Sequence, residues 1–147
     1  MAIIFRRKID IENSLSNNDR QYLIGNLNLA QDFDNIFDDN VEMGISDIKK
    51  YQAETAHYHE KCNEYQMVLS GKTKYLDLDK HLVYELSEGD IFVIEKNTKY
   101  YQKSIKGTRI LFFKVPGGND KIIVDLNEKE LLWGREFDED LDYECIK

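Results

Sequence analysis

The sequence contains 147 residues, of which 41% are hydrophobic, and its formal net charge is −8 at pH 7. This acidic balance argues against a broad basic surface for nucleic acid or an anionic membrane, although it is compatible with a local basic pocket for an anionic metabolite. The N-terminal residues MAIIFRRK hold too short an apolar run for a signal peptide, and no stretch approaches the roughly 20 apolar residues of a membrane span. Two cysteines, Cys62 and Cys145, do not indicate a disulfide framework. We therefore expect one cytoplasmic domain, residues 1–147, with a single core.

Short alternating runs of apolar and polar residues begin the chain, and this period of two is typical of β-strands. They predict strands at residues 2–11, 20–29 and 41–50. Gly25 interrupts the second run, where it indicates a bulge or a close approach of two backbones. The acidic stretch at 32–40 is predicted to be a solvated loop that Phe33, Ile36 and Phe37 pin to the body of the protein.

Turn residues divide the middle of the chain into further short strands. Strands are predicted at residues 57–70, 72–78, 81–86, 91–94, 100–105, 109–115 and 121–126. The connection Asp79–Lys80 predicts a hairpin between the strands on either side of it. Lys106–Gly107 predicts a second hairpin, between 100–105 and 109–115. The strongest break is PGGND at 116–120.

The C-terminal segment differs in character from the strands before it. Asn127 is placed to cap a short helix, Glu130 completes a capping box, and the apolar face is formed by Leu131, Leu132 and Trp133. We interpret Trp133 as the anchor of this helix, with a lid over a barrel mouth as the alternative. Six of the nine residues at 136–144 are acidic, which predicts a solvated tail or, alternatively, an interaction tail.

The order of these elements indicates a fold class. Many short strands separated by turns, with helix confined to the C-terminus, predict an all-β sandwich or barrel. We expect the barrel core at about 41–126, after N-terminal strands within 2–29 and before the helix and acidic tail at 127–147.

Two of the three histidines, His57 and His59, are separated by a single residue. Side chains at i and i+2 of a strand point to the same face, so the two imidazoles are expected side by side. Glu64, in the apolar run that follows, can bring a carboxylate to the same place. Two nitrogens and one oxygen are a plausible ligand set for a first-row transition metal, so the sequence predicts a metal site here.

The spacing HxH, four residues, Glu, six residues, Gly at positions 57–71 resembles the first motif of the cupin superfamily. Residues 89–94, GDIFVI, match the opening of the second cupin motif, whereas Glu95 replaces its usual proline and Asn97 its usual glycine. Tyr100 stands where the third histidine of that motif is expected. The resemblance implies a double-stranded β-helix, the jelly-roll barrel, and the chain is similar to small single-domain cupins of bacterial surface-sugar pathways.

This resemblance implies a divalent transition metal, Zn, Fe, Mn or Ni, held by His57, His59 and Glu64 with open positions for water or substrate. Tyr100 would then be a fourth ligand or a hydrogen-bonding neighbour. The alternative is a metal-free site, because some cupins related to sugar-nucleotide ketoisomerases use one histidine of the pair and a tyrosine as acid and base. Here His57 or His59 would act with Tyr100, whereas the presence of Glu64 favours the metal.

Further residues are candidates because of the strand faces they share with the site. Gln66, Tyr100 and Gln102 are the candidate substrate-binding residues; the alternative is that they hydrogen-bond to one another. Cys62 is expected to point away from the pocket, with a soft metal ligand or a thiol nucleophile as the alternative, and His81 is expected to be exposed.

The resemblance implies a small-molecule function. We expect an isomerase or epimerase that moves a proton on a sugar or sugar nucleotide in bacterial surface-carbohydrate metabolism. The alternatives are an Fe(II)-dependent dioxygenase of a small substrate and a non-catalytic ligand-binding sensor. Tyr65, Met67 and Leu69, on the face of their strand opposite Glu64, are also apolar and need a cover, which a second sheet, the N-terminal strand or a second subunit can supply. We expect a homodimer.

Overall fold

The computed structural model describes residues 1–118 and 120–147. The two described helices are α1 (Lys8–Ser16) and α2 (Glu128–Trp133). The strands are β1 (Arg20–Ile24), β2 (Glu42–Asp47), β3 (Gln52–Ala53), β4 (His57–His59), β5 (Asn63–Ser70), β6 (Lys72–Asp77), β7 (Leu82–Ser87), β8 (Ile91–Ile94), β9 (Tyr100–Ser104), β10 (Arg109–Val115), β11 (Lys121–Ile123) and β12 (Glu144–Ile146). Asn119, part of the predicted break at 116–120, lies outside the described residues.

The strands form two sheets. The first has five strands in the order β1-β2-β10-β5-β8. The second has seven, in the order β11-β4-β9-β6-β7-β12 with β3 paired to β9. The chain crosses from one sheet to the other seven times, after β2, β4, β5, β7, β8, β9 and β10, and repeated crossing of this kind is typical of a jelly roll. The predicted all-β jelly-roll fold with a short C-terminal helix is therefore confirmed.

Alternation along the strands decides what faces the inside of the barrel. In β5, Glu64, Gln66 and Val68 are buried, whereas Tyr65 and Met67 are exposed. Strands β6 and β9 are instead buried on both faces. Their outward side chains, including Leu76 and Tyr101, pack in an apolar cluster with Trp133 beneath the C-terminal segment. The chain thus has a polar barrel interior and an apolar layer outside the second sheet.

The predicted strand at 2–11 is wrong. Residues 1–7 form no helix or strand, and α1 begins at Lys8. Ile11 and Leu15 are four residues apart, a spacing that places both on one helix face, and Leu15 is fully buried while Ile3 is 94% exposed. Ten residues of apolar and polar alternation were too few to distinguish the period of a strand, two residues, from that of a helix, 3.6 residues.

The predicted strand at 20–29 is also too long, because β1 ends at Ile24. The pairing of β1 with β2 is irregular between Tyr22 and Ile24, and Gly25 follows with a φ of +147°. The irregular pairing agrees with the bulge that was one of the two predictions for Gly25, whereas the contact that a side chain there would make at 3.0 Å is with the Glu42 side chain and not with a backbone.

One of the two predicted hairpins is wrong. The pairing of β6 with β7 from Lys72–Ser87 to Asp77–Leu82 confirms the hairpin around Asp79–Lys80. In contrast, β9 pairs with β4 and β6, whereas β10 pairs with β2 and β5 in the other sheet. The turn at Lys106–Gly107 therefore carries the chain from one sheet to the other, because the partners of β9 and β10 come from strands distant in the sequence, which a local turn pattern does not specify.

The C-terminal helix begins as predicted. Asn127 Oδ1 accepts from the Glu130 backbone N–H at 2.9 Å and Glu130 Oε2 accepts from Asn127 N–H at 2.8 Å, so the capping box is present. Trp133 is fully buried and anchors the helix, whereas Leu131 and Leu132 are 51% and 41% exposed, so the predicted three-residue apolar face is wrong.

The solvated-tail prediction for 136–144 is wrong in part. The ammonium group of the fully buried Lys103 donates to the backbone carbonyls of Trp133, Glu136 and Glu139 at 2.7–2.8 Å. Lys74 Nζ donates to Asp140 Oδ2 at 2.8 Å, and β12 adds to the edge of the second sheet beside β7. Two buried lysines need acceptors, and the tail supplies them.

Candidate functional site

Both sheets contribute to a buried polar site inside the barrel. His57 and His59 lie on β4 in the second sheet, where both side chains are buried. The chain then crosses to the first sheet, where the buried Glu64 lies on β5. Tyr100, on β9, is the register partner of His57. The alternation of each strand turns these four side chains inward.

Three of these residues form a compact donor set. The ring nitrogens of His57 and His59 and a carboxylate oxygen of Glu64 lie within 4.8 Å of one another. His59 Nε2 is 3.4 Å from Glu64 Oε2. The structure therefore brings together the three residues predicted as metal ligands.

Hydrogen bonds behind the two imidazoles hold their orientation. His57 Nδ1 is 2.7 Å from the carbonyl oxygen of Thr55, and His59 Nδ1 is 2.7 Å from Asp120 Oδ1. Asp120 Oδ2 in turn accepts from the backbone N–H of Lys61 at 2.7 Å. These acceptors place the Nδ1 protons and leave Nε2 of both rings for the barrel interior, the arrangement that metal-ligating histidines share. The donor set thus fits a divalent transition metal.

Tyr100 places its hydroxyl between two of the donors. Its Oη is 2.8 Å from His57 Nε2 and 3.2 Å from Glu64 Oε2. The phenol ring packs against the His57 ring with centroids 4.5 Å apart. Tyr100 therefore bridges the two sheets where a third histidine is expected in the motif.

Burial separates the protonation behaviour of the two histidines. Burial lowers the pKa of His57 to about 4, so this imidazole is neutral at pH 7. Burial also opposes protonation of His59, but its hydrogen bonds with Cys62 and Glu64 outweigh it and raise the pKa to about 10. A metal ion must displace this His59 proton to use Nε2 as a ligand.

The two oxygen groups of the site also differ in their protonation. Burial of Glu64 opposes ionisation, but the hydrogen bond and charge of His59 outweigh it and lower the pKa of the carboxyl. Burial, followed by the Glu64 charge, raises the pKa of Tyr100 well above its ordinary value. At neutral pH the phenol therefore keeps its proton and Glu64 is ionised.

The site opens into a cavity of about 220 Å³. Its lining includes three cations and three carboxylates: Arg20, Lys114, Lys121, Glu42, Glu54 and Glu64. Drug-sized ligands occupy pockets of roughly 300–1,000 Å³, so this cavity suits a group of about monosaccharide size.

Both predicted substrate-binding glutamines line this cavity. Gln66 Oε1 accepts from the hydroxyl of Tyr75 at 2.7 Å. Gln102 Nε2 donates to Thr73 Oγ1 at 3.2 Å and to Ser104 Oγ at 3.3 Å. Each glutamine is thus held by a neighbour, and among the described residues they do not hydrogen-bond to one another.

Sequence reasoning missed the charged residues of the cavity and Asp120. Lys114 follows Ile110 and Phe112 on the inward face of β10, and a lysine in an inward position of an alternating strand was a usable signal. Asp120 had no such signal, because it meets His59 only through the pairing of β11 with β4. Cys62 is buried outside the cavity lining, 3.5 Å from Asp120 Oδ1, and His81 is exposed.

Residues 44–111 match the family model of the cupin domain. The resemblance to the cupin superfamily seen in the sequence is confirmed over this part of the chain. The matched region contains both histidines, Glu64 and Tyr100 of the site. A search of the curated proteins found no match to the chain.

Solved structures share this cupin fold at low sequence identity. One is a protein with a double-stranded β-helix domain from Klebsiella pneumoniae, at 15% identity over 86% of this chain and 100% of that one, with a TM-score of 0.57. Another is the polyketide cyclase RemF from Streptomyces resistomycificus, at 17% identity over 62% of this chain and 65% of the cyclase, with a TM-score of 0.52. The chain thus spans less than two thirds of the cyclase.

A third similar structure is Pac13 from Streptomyces, a nucleoside dehydratase, at 14% identity over 63% of this chain and 76% of that chain, with a TM-score of 0.50. At these identities the likeness concerns the fold of the cupin domain.

Among the described residues, no helix is long and apolar enough to cross a membrane.

Proposed function

We propose that this protein is a metal-dependent isomerase or epimerase that moves a proton on a sugar or sugar nucleotide in bacterial surface-carbohydrate metabolism. The observation that supports it is the convergence of two imidazole nitrogens, the Glu64 carboxylate and the Tyr100 hydroxyl on one buried cavity. Similar folds in a polyketide cyclase and a nucleoside dehydratase agree with small-molecule chemistry in such a barrel.

The metal would be held by His57, His59 and Glu64, as Zn, Fe, Mn or Ni. When bound, it would polarise a carbonyl oxygen of the substrate. Tyr100 keeps its phenolic proton at neutral pH and donates it to a substrate oxygen. Gln66 and Gln102 orient substrate hydroxyls. The C–H bond next to the carbonyl breaks as Tyr100, which has given its own proton to the substrate oxygen, accepts the proton from carbon. Return of a proton to the other face of that carbon, or to the carbonyl carbon, then restores the C–H bond and the carbonyl.

The distance between Tyr100 Oη and His57 Nε2, 2.8 Å, supports a second candidate in which no metal takes part. The neutral His57 would accept the proton from carbon and Tyr100 would donate one to the substrate oxygen. His59, held between Glu64 and Asp120, would maintain the charge of the cavity.

Solvent-proton exchange separates the two candidates. The purified protein, treated with chelator and then reloaded with each metal, is incubated in D₂O with a panel of sugars and sugar nucleotides, and deuterium uptake is measured by mass spectrometry. Uptake that disappears on chelation and in Glu64→Gln supports the metal site. Uptake that survives chelation but disappears in Tyr100→Phe supports the metal-free site.

Other outcomes would contradict both candidates. No deuterium uptake across the panel, with any metal, argues against proton transfer. Oxygen consumption that requires added iron would instead support a dioxygenase. Ligand-induced stabilisation without turnover would support a sensor, because a ligand that binds only the folded state raises its melting temperature.

We also propose that the protein is a homodimer through the outer face of β5, β8 and β10, named here the outer apolar face. It consists of Tyr65, Met67, Ile91, Val93, Leu111 and Phe113. Four of these side chains are 38–76% exposed. The N-terminal strand predicted as a possible cover does not form, and the second sheet covers the opposite side of β5. Contiguous exposed apolar surface of this kind marks an interaction site, and a second copy offers the same apolar surface.

A further inference from the structure

Among the residues that the structure describes, each charged side chain of the cavity lining has a partner of opposite charge, with one exception. Arg20 Nη2 donates to both carboxylate oxygens of Glu54, at 3.1 and 3.2 Å. Lys114 Nζ donates to Glu42 Oε1 at 3.2 Å. These two cations are therefore already neutralised by protein carboxylates on the cavity wall.

Lys121 is the cation without such a partner. Among the residues the structure describes, no carboxylate oxygen lies within 4.0 Å of its ammonium nitrogen. It lies on β11 as the register partner of His59, and directly opposed residues of an antiparallel pair project from the same face. Its side chain lines the cavity and is largely exposed. Lys121 therefore brings an unpaired positive charge to the edge of the site, beside His59.

The summed charge of the cavity lining also favours an anionic substrate. With neutral histidines, the three cations and three carboxylates of the lining balance, although the chain as a whole carries −8. A divalent metal on the His57, His59 and Glu64 set would leave the cavity with an excess of two positive charges. A narrow cavity with low-dielectric walls concentrates that field on whatever enters it.

We propose that the cavity selects substrates that carry an anionic group, a carboxylate or a phosphate, and that Lys121 binds this group at the cavity edge. Lys121 acts as a point charge, the way lysine contacts phosphate. The reacting carbon then faces His57, Glu64 and Tyr100 further inside. This inference rests on the proposed function, because it assigns the substrate class of the same site.

The test compares Lys121→Met, which keeps the aliphatic stem, with Lys121→Arg, which keeps the charge. Lys106→Met, at an exposed turn, is the matched control. Binding of inorganic phosphate, acetate and neutral glucose is measured by calorimetry on metal-loaded protein. We expect the dissociation constant of phosphate or acetate to rise about tenfold in Lys121→Met and to stay near the wild-type value in the other two variants. Glucose binding should be the same in all four proteins.

The pattern of outcomes separates this inference from the proposed function. A loss confined to phosphate identifies a phosphate-bearing substrate, and a loss confined to acetate identifies a carboxylate. Equal anion binding by wild type and Lys121→Met, or an equal loss of glucose binding, overturns the inference. Cobalt(II) absorption in the same variants reports the metal site independently. If cobalt(II) binds normally but the Lys121→Met substitution leaves the dissociation constants of the anions unchanged, the result supports the proposed metal site and rules out the anion subsite.

Discussion

Tyr100 donates its hydroxyl proton either to His57 Nε2, 2.8 Å away, or to Glu64 Oε2, 3.2 Å away, because a phenol has one proton for two acceptors. Which acceptor receives the proton depends on whether a metal or a substrate occupies the cavity. When His57 and Glu64 serve a metal, Tyr100 is free to turn its proton toward a substrate. A single hydroxyl thus links the two proposed versions of the reaction.

Replacing Tyr100 with Phe tests this link. The ring packing against His57 and Tyr75 stays, so the melting temperature should change by only a few degrees. Deuterium uptake should fall about 10²-fold or more, because general acid–base groups contribute roughly 10²–10⁴-fold. Tyr101→Phe, on the outer side of the same strand, is the control. Wild-type uptake by Tyr100→Phe would remove the phenol from the mechanism.

Asp120→Asn tests the outer support of His59. The carboxylate that accepts from Nδ1 at 2.7 Å raises the basicity of the ring, and its loss should weaken metal binding about 10–100-fold. Calorimetric titration with Zn²⁺ measures the affinity, with the exposed Asp125→Asn as control. Identical affinities for both variants would show that Asp120 does not support the site.

Acid should weaken the attachment of α1 to the first sheet. The hydrogen bond of Arg109 with Glu12, at 2.7 Å, outweighs burial and lowers the pKa of that carboxyl below its ordinary 4.5. The unfolded state therefore binds more protons between the two pKa values, so this stabilisation is present above about pH 4.5 and is lost as the pH falls through the folded-state pKa.

The measurement is urea unfolding of wild type and Glu12→Gln from pH 3 to pH 7. We expect the variant to be less stable by about 0.2–1 kcal/mol at pH 7, a small value because the pair is partly exposed, and the difference should vanish in acid. Glu88→Gln, exposed at a turn, should show no such difference. A pH-independent difference would rule out the ion pair as its cause.

Lys103→Met should loosen the C-terminal segment. Without the ammonium group the carbonyls of Trp133, Glu136 and Glu139 lose their shared donor, and we expect a loss of about 2–3 kcal/mol in unfolding free energy. Limited proteolysis should cleave within 134–147 faster than in wild type. Lys106→Met is the control, and unchanged proteolysis of Lys103→Met would show that the tail is held by other contacts.

Ile91→Lys should convert the proposed dimer to a monomer. Ile91 is 76% exposed on the outer apolar face, so the lysine adds a charge at the interface without disturbing the barrel. Sedimentation velocity measures the mass, with Leu131→Lys on α2 as control. A wild-type protein that sediments as a monomer at micromolar concentration would end the dimer proposal.

Residues 57–71 illustrate what sequence alone could predict. The inward direction of His57, His59 and Glu64 follows from strand periodicity, which is a local property of the backbone. The capping box at Asn127 and Glu130 was predictable for the same reason. The stretch that contains α1 fits both the period of a strand and the period of a helix. The prediction from sequence chose the strand there, and it was wrong.

The sequence by itself determined most of the strand pattern, the all-β class and the convergence of His57, His59 and Glu64, because each depends on neighbours within about 15 positions. Only the tertiary structure decided that β9 and β10 lie in opposite sheets and that Lys121 and Asp120 stand beside His59. Lys121 and Asp120 are about 60 positions from His59, and β9 and β10 take their partners from strands elsewhere in the chain, so both relationships arise from the packing of whole strands. Strand alternation tells which way a side chain faces, whereas the packing of two sheets determines what it meets there.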